Sequence, residues 1–204
     1  MNLYCGIGGN RKLWGEEHKV TAVENNPKIA KIYQDFFPND KVIVADAHQF
    51  LLDHFEEFDF IWSSPPCPSH SRTNYFLKAH GIYRFPEMKL YEEIIFLNNF
   101  FKGKWVVENV ISYYDPLIKP YKVGRHYFWS NFIITSGGED TKIIDIGKMC
   151  GKNQKASKIP LNLYGFDLSK YNVKDKRLLL RNCVEPKLAL KIFKMAFKNK
   201  QNTL

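Results

Sequence analysis

The sequence predicts an α/β fold built on a doubly wound, mostly parallel sheet, and three observations predict it. Short apolar runs alternate with stretches whose apolar residues recur at helical spacing, which is the pattern of βαβ units. The 204 residues are 45% hydrophobic and 15% aromatic, enough for a full core and too many for wholesale disorder. Chemically reactive side chains sit just after the apolar runs, where an open α/β sheet has its ligand edge.

Residues 1–4 read as a first strand, cut short by the start of the sequence, with Gly6-Ile7-Gly8-Gly9 as the turn that follows. Residues 20–24 (VTAVE) form the second predicted strand. Pro27 then supplies the first position of a helix over residues 27–37, with Ile29, Ile32, Tyr33 and Phe36 on one face. Residues 41–45 (KVIVA) and 58–62 (FDFIW) read as buried strands. Residues 63–85 show no clear periodicity, a length typical of lids and binding loops. A helix over residues 86–101 opens at Pro86, and residues 104–107 (KWVV) form a further strand. The pattern is less regular after Tyr121. Residues 185–200 close the sequence as a helix with Leu188, Ile192, Phe193 and Ala196 facing inward.

Thirty Lys and Arg against 21 Asp and Glu leave a net charge of +9, which favours a polyanionic partner, nucleic acid first. A merely solubilising basic surface would give the same balance. Four cysteines are too few for a disulfide scaffold and point to a reducing compartment. No apolar run approaches the ~20 residues that span a bilayer, and the opening residues lack the pattern of a secretory signal. A cytoplasmic protein without a membrane partner is expected. The histidines show no metal-ligand spacing.

The Gly6–Gly9 turn alone is an ordinary tight turn. Glu24, 18 residues beyond Gly6, ends the second strand, and an acid at that spacing suits a ribose diol. The pair points to a nucleoside-type cofactor. Asp46 ends the third strand, where it could accept from an adenine amino group or cap the following helix. The fourth strand runs into Ser64-Pro65-Pro66-Cys67-Pro68-Ser69-His70-Ser71. Prolines stiffen this segment and place the Cys67 thiol at the ligand edge, so Cys67 is read as a nucleophile instead of a small buried apolar residue. Beyond it, His70, Arg72, Lys78, His80 and Arg84 interleave with Tyr75, Phe76 and Tyr83, a mixture suited to nucleic-acid backbone and bases. Glu108-Asn109-Val110 ends the next strand, 41 residues after Cys67. A carboxyl leaving an apolar strand for a cleft is desolvated and can donate a proton or hydrogen bond. A helix-capping pair is the alternative.

As a set these residues resemble the DNA (cytosine-5) methyltransferase family. LYCGIGG (3–9) is similar to its Asp-Leu-Phe-x-Gly-x-Gly-Gly motif, Glu24 to its ribose-binding acid and Asp46 to its adenine-binding acid. SPPCPSHS (64–71) resembles its Pro-Cys nucleophile motif, and Glu108-Asn109-Val110 its catalytic glutamate motif. Arg181-Asn182-Cys183-Val184-Glu185-Pro186 resembles the Gly-Asn-x-Val-x-Pro segment that completes the cofactor pocket. The resemblance implies a Rossmann-like S-adenosylmethionine-dependent methyltransferase with a small irregular insert. It implies methyl transfer to carbon 5 of a flipped cytosine in double-stranded DNA, through a covalent cysteine adduct and without a metal. The implied catalytic residues are Cys67, Glu108 and Arg125. S-adenosylmethionine, and its product S-adenosylhomocysteine, would be held by Tyr4, Cys5, Gly6, Gly8, Gly9, Glu24, Asn25, Asp46, Ala47, Pro65, Asn182 and Val184.

The departures are specific. Asn2 stands for the usual Asp, Tyr4 for Phe, Pro68 for Gln and Arg181 for Gly. The Gln-x-Arg-x-Arg strand is recognisable only around Arg125, the candidate to anchor the base and support Cys67. Three regions are expected: a cofactor and catalytic core over 1–134, a short target-recognition region over 135–180, and a C-terminal segment over 181–204 that returns to the core. The middle region holds nine Lys and Arg against five Asp and Glu, which suits phosphate contacts. Ser71, Arg72, Lys148 and Lys152 are the candidate nucleic-acid contacts, with Asn153, Gln154 and Lys155 beside them. Generic phosphate contacts imply binding that weakens steeply with salt. A monomer in a bacterial cell or phage-infected host is expected, with a cognate restriction endonuclease or specificity partner as candidate partners. Two alternatives stay open: a tRNA cytosine-5 methyltransferase, and a low-activity module that binds cofactor and DNA.

Overall fold

A computed structural model describes residues 1–135 and 160–198. Lys148, Lys152, Asn153, Gln154 and Lys155 lie outside the described residues. Seven strands and six helices are described: β1 (Asn2–Leu3), β2 (Thr21–Glu24), α1 (Pro27–Phe36), β3 (Lys41–Val44), α2 (Ala47–His54), β4 (Phe60–Ser63), α3 (Asn74–Ala79), α4 (Lys89–Phe100), β5 (Lys104–Val110), β6 (Tyr121–Val123), β7 (His126–Ser130), α5 (Lys176–Asn182) and α6 (Pro186–Ala196). The fold is α/β and Rossmann-like, with three parallel and two antiparallel strand pairings among those resolved. The chain divides into two compact units, Met1–Tyr4 with Asp46–Gly137, and Cys5–Ala45 with Gly138–Leu204.

In the first unit the strand order is β1-β4-β5-β7-β6. β1 and β5 flank β4 in parallel, with Leu3 opposite Ser63 and Ser63 opposite Val107. All four residues of β4 are buried, as a short apolar run covered on both faces requires. β7 runs antiparallel to β5 and returns through the two-residue turn Gly124-Arg125 from β6. Gly124 takes a positive φ of 59°, which a tight hairpin needs. The helix α4 buries Leu90, Tyr91, Glu93, Ile94 and Leu97, an i, i+3, i+4, i+7 face that carries one carboxylate.

In the second unit β2 and β3 pair in parallel, and α1 begins at Pro27 under an Asn26 cap. Ile32, Tyr33 and Phe37 form a core with Ile7, Ala22, Leu163, Phe166, Leu168 and Leu180. Asp40 is buried here against Arg11, whose Nε and Nη2 donate to it at 2.9 and 3.0 Å, and the Tyr33 hydroxyl donates at 2.7 Å. Glu185 caps α6 through the Leu188 amide, and Phe193 of that helix stacks on Trp14 at 4.8 Å.

Several elements differ from the sequence expectation. The KVIV run forms β3 but is not buried: its residues are exposed or half-buried, and Val44 is 54% exposed. β3 ends its sheet, so an apolar run here reports strand propensity and not burial. The fourth strand is displaced to Phe60–Ser63, and β5 extends to Val110 because β7 pairs with its full second half. Pro86 does not open a helix; α4 starts at Lys89. Residues 63–85 contain the short helix α3. The closing helix ends at Ala196, with its four expected inward residues buried. The described part of residues 135–180 places Leu163, Phe166, Leu168 and Leu180 in the second unit's core.

Candidate active site

In the first unit, the chain leaves β4 at Ser63 and enters the proline-rich segment. Pro65 is buried, Pro66 is exposed and Cys67 is half-buried. The Cys67 carbonyl accepts from the amides of His70 and Ser71, both at 3.0 Å, which turns the chain immediately after the thiol. The Asn74 side chain donates to the Pro68 carbonyl at 2.9 Å. From the other side, Ser71 bridges to Ser112, and the Tyr113 amide donates to the His70 carbonyl at 3.0 Å. His70 is buried with Nδ1 2.6 Å from the Tyr114 hydroxyl, and burial pushes its pKa down, so the ring stays neutral.

Glu108 lies within β5 opposite Phe128, and its carboxyl is buried. The next residue, Asn109, donates its side-chain amide to the Pro65 carbonyl at 3.0 Å. This bond ties the strand that carries Glu108 to the loop that carries Cys67. The Glu108 Oε1 is 2.5 Å from Nδ1 of His126, also buried. Sequence reasoning missed His126. Only strand register reveals it, because His126 pairs with Val110 and so shares a sheet face with Glu108 two residues away. Arg125, half-buried, stands in the β6–β7 turn just before it; Ser71 is half-buried and Arg72 exposed. Asp46 caps α2 through the Gln49 amide at 2.9 Å, and that bond holds its carboxyl below the ordinary range. Ala47 beside it is buried. Tyr4 donates its hydroxyl to Glu93 at 2.6 Å.

The second unit holds the other cofactor candidates. The buried carboxylate of Glu24 accepts from the Gly6 amide at 3.1 Å and from the Asn26 amide at 3.0 Å, joining the glycine turn to the start of α1. Gly6 has φ +54°, and a Cβ there would meet nothing within 4 Å, so this turn fronts open space. An open glycine turn with a buried double acceptor fits a nucleoside-type group. Asn25 and Asn182 are exposed, and Val184 is buried. Cys5 is buried, which pushes its thiol well up and removes it as a nucleophile. Gly9 has a packing role: a Cβ would lie 2.5 Å from the Cys183 Cβ and 2.9 Å from the Val184 carbonyl oxygen. Gly9→Ala is therefore expected to cost about 1–3 kcal/mol by forcing Cys183-Val184 off the turn. Urea unfolding measures this, and an unchanged midpoint would refute that contact.

Among the described residues, no group of three or more His, Cys, Asp or Glu is placed to hold a metal ion, and no helix is long and apolar enough to cross a membrane. Residues 1–112 of the chain, over half its length, match the family model of C-5 cytosine-specific DNA methylases. The chain belongs to this family. No curated protein sequence matches this family member. Among solved structures it is similar to a putative DNA modification methyltransferase encoded within a prophage of Escherichia coli, at 15% identity and TM-score 0.42, over 66% of this chain and 48% of that one. It is also similar to a mutant DNMT2 of Spodoptera frugiperda, at 25% identity and TM-score 0.38, over 54% of this chain and 34% of that one. An Entamoeba histolytica methyltransferase matches at 16% identity and TM-score 0.34, over 53% of this chain and 37% of that one. This methylase chain thus spans about a third to a half of the length of those three structures. The methylase match covers the glycine turn, Glu24, Asp46, Cys67 and Glu108.

Proposed function

We propose that this protein transfers a methyl group from S-adenosylmethionine to carbon 5 of a cytosine flipped out of double-stranded DNA. The observation that carries the reading is the Asn109–Pro65 hydrogen bond, which couples the buried Glu108 strand to the Cys67 loop in a chain of the cytosine-5 methylase family. The residues that the family resemblance implies for the cofactor are Tyr4, Cys5, Gly6, Gly8, Gly9, Glu24, Asn25, Asp46, Ala47, Pro65, Asn182 and Val184. When bound, S-adenosylmethionine supplies an electrophilic methyl group on a sulfonium.

The chain's own residues do the rest. A cytosine stacked in a duplex is out of reach, so the base leaves the stack, helped by contacts from Ser71 and Arg72. The Cys67 thiolate adds to carbon 6, forming a C–S bond and pushing the ring's electron pair towards carbon 5 and ring nitrogen 3. Glu108 donates a proton or hydrogen bond to that nitrogen, with His126 holding its other side, and Arg125 anchors the base. Carbon 5 is then nucleophilic enough to be methylated. Removal of the carbon 5 proton by a base or water restores the double bond and expels Cys67 as thiolate.

The test is transfer of labelled methyl from S-adenosylmethionine to duplex DNA and, in parallel, to tRNA. Label in DNA at cytosine carbon 5 is the expected result, and bisulfite sequencing then locates it. Label in tRNA alone would replace DNA by RNA as substrate. No transfer to either, despite cofactor binding, would overturn the proposal.

A further inference from the structure

The first unit contains a fully buried carboxylate that none of these steps uses. Glu93 projects from α4 with no solvent exposure. Three donors surround it: the Tyr4 hydroxyl at 2.6 Å and the His48 Nδ1 at 3.1 Å, both on Oε1, and the Ser63 hydroxyl at 2.5 Å on Oε2. A carboxylate is costly to bury, and an apolar side chain would serve packing alone at this position of α4. Each donor comes from a segment that the functional reading already uses. Tyr4 leads from β1 into the glycine turn, His48 follows Asp46 and Ala47 on α2, and Ser63 is the last residue of β4 before the Ser64-Pro65-Pro66-Cys67 segment.

Tyr4 also has φ +53°, a left-handed backbone that a bulky aromatic residue seldom adopts and that persists only where its surroundings impose it. The hydrogen bond to Glu93 is one such restraint. Burial and the neighbouring carboxylate push the Tyr4 phenol pKa up, so the hydroxyl remains a donor. The hydrogen bond to Glu93 likewise pushes His48 up, towards the imidazolium that balances the buried charge; Glu92, on the same helix, lies 3.4 Å from the other ring nitrogen.

We propose that Glu93 is a positioning residue for the cofactor: one buried carboxylate that sets the Tyr4 ring, the Asp46-Ala47-His48 helix start and the Ser63 end of the nucleophile strand. This rests on the reading that Tyr4, Asp46, Ala47 and Pro65 hold S-adenosylmethionine. Glu93 touches no substrate in this role; it acts through the residues that do.

Calorimetry with S-adenosylhomocysteine on the full chain tests it, with the melting temperature recorded alongside. Glu93→Gln keeps the size of the side chain but turns one of two acceptors into a donor. It is expected to weaken binding about tenfold or more, as loss of a charged hydrogen bond does, and to raise the KM for S-adenosylmethionine more than it lowers kcat. Tyr4→Phe keeps the ring, loses one hydroxyl, and folds even if Glu93→Gln does not; it is expected to weaken binding in the same direction. The double variant is expected to bind no worse than Glu93→Gln alone, because the two changes break one contact. A lowered melting temperature with unchanged affinity in both single variants would make Glu93 merely structural and overturn the proposal. Additive losses in the double variant would overturn it too. If the wild-type chain binds no S-adenosylhomocysteine, the functional reading falls, and this inference with it.

Discussion

Cys67→Ala is expected to lower methyl transfer by a factor on the order of 10⁴ or more while leaving the protein folded. The size follows from chemistry. Without a sulfur adding to carbon 6, carbon 5 of cytosine stays a poor nucleophile, and Glu108 has no developing charge to stabilise. No other described cysteine can take over. Cys5 is buried with its thiol pushed well up, and Cys183 is buried beside the glycine turn. The fold is spared because Cys67 is only half-buried, and its backbone carbonyl, which alanine keeps, accepts the His70 and Ser71 amides that turn the loop. Two measurements check this. Label transfer should vanish with circular dichroism unchanged. A duplex carrying 5-fluorocytosine, which has no carbon 5 proton to lose, should form a covalent complex with wild type and none with the variant. Full activity in Cys67→Ala would end the covalent mechanism.

Arg11→Leu is expected to destabilise the protein by about 3–5 kcal/mol, the usual result of stripping one partner from a buried ion pair. Arg11 and Asp40 have side chains only 6% and 2% exposed, and the guanidinium holds both carboxylate oxygens. Once Arg11 is gone, Asp40 keeps the Tyr33 hydroxyl as the remaining described donor to its carboxylate. The guanidinium also lies 5.4 Å from the centre of the Phe37 ring, so packing is lost along with charge. Replacing both Arg11 and Asp40 by leucine should recover much of the loss, because the uncompensated charge then disappears. Urea unfolding of the two single variants and the double variant reads this directly. A cost below about 1 kcal/mol for Arg11→Leu would mean water reaches Asp40.

Much of the candidate site is legible in the chain because its motifs are local. Gly6–Gly9, Asp46, Ser64–Ser71 and Glu108-Asn109-Val110 are contiguous motifs, each directly after an apolar run, so a few consecutive residues carry each of them. Capping is local as well: Asp46 before α2 and Asn26-Pro27 before α1 act within three residues of themselves. Burial of a strand is not local. The KVIV run reads as core, yet its place at the end of its sheet leaves it largely open. The β6–β7 hairpin is equally hard to read, because strands of three and five residues carry too little alternation to register.

By itself, then, the sequence determined an α/β chain with its candidate cofactor and nucleophile motifs in order, since each is encoded over a few consecutive residues. The tertiary structure alone decided which side chains meet. His126 faces Glu108 through antiparallel register across 18 residues, and Asn109 reaches Pro65 across 44. Tyr4, His48 and Ser63 converge on Glu93 from as far as 89 residues away. Such contacts depend on strand pairing and helix packing between distant segments, and no local pattern of residues records them.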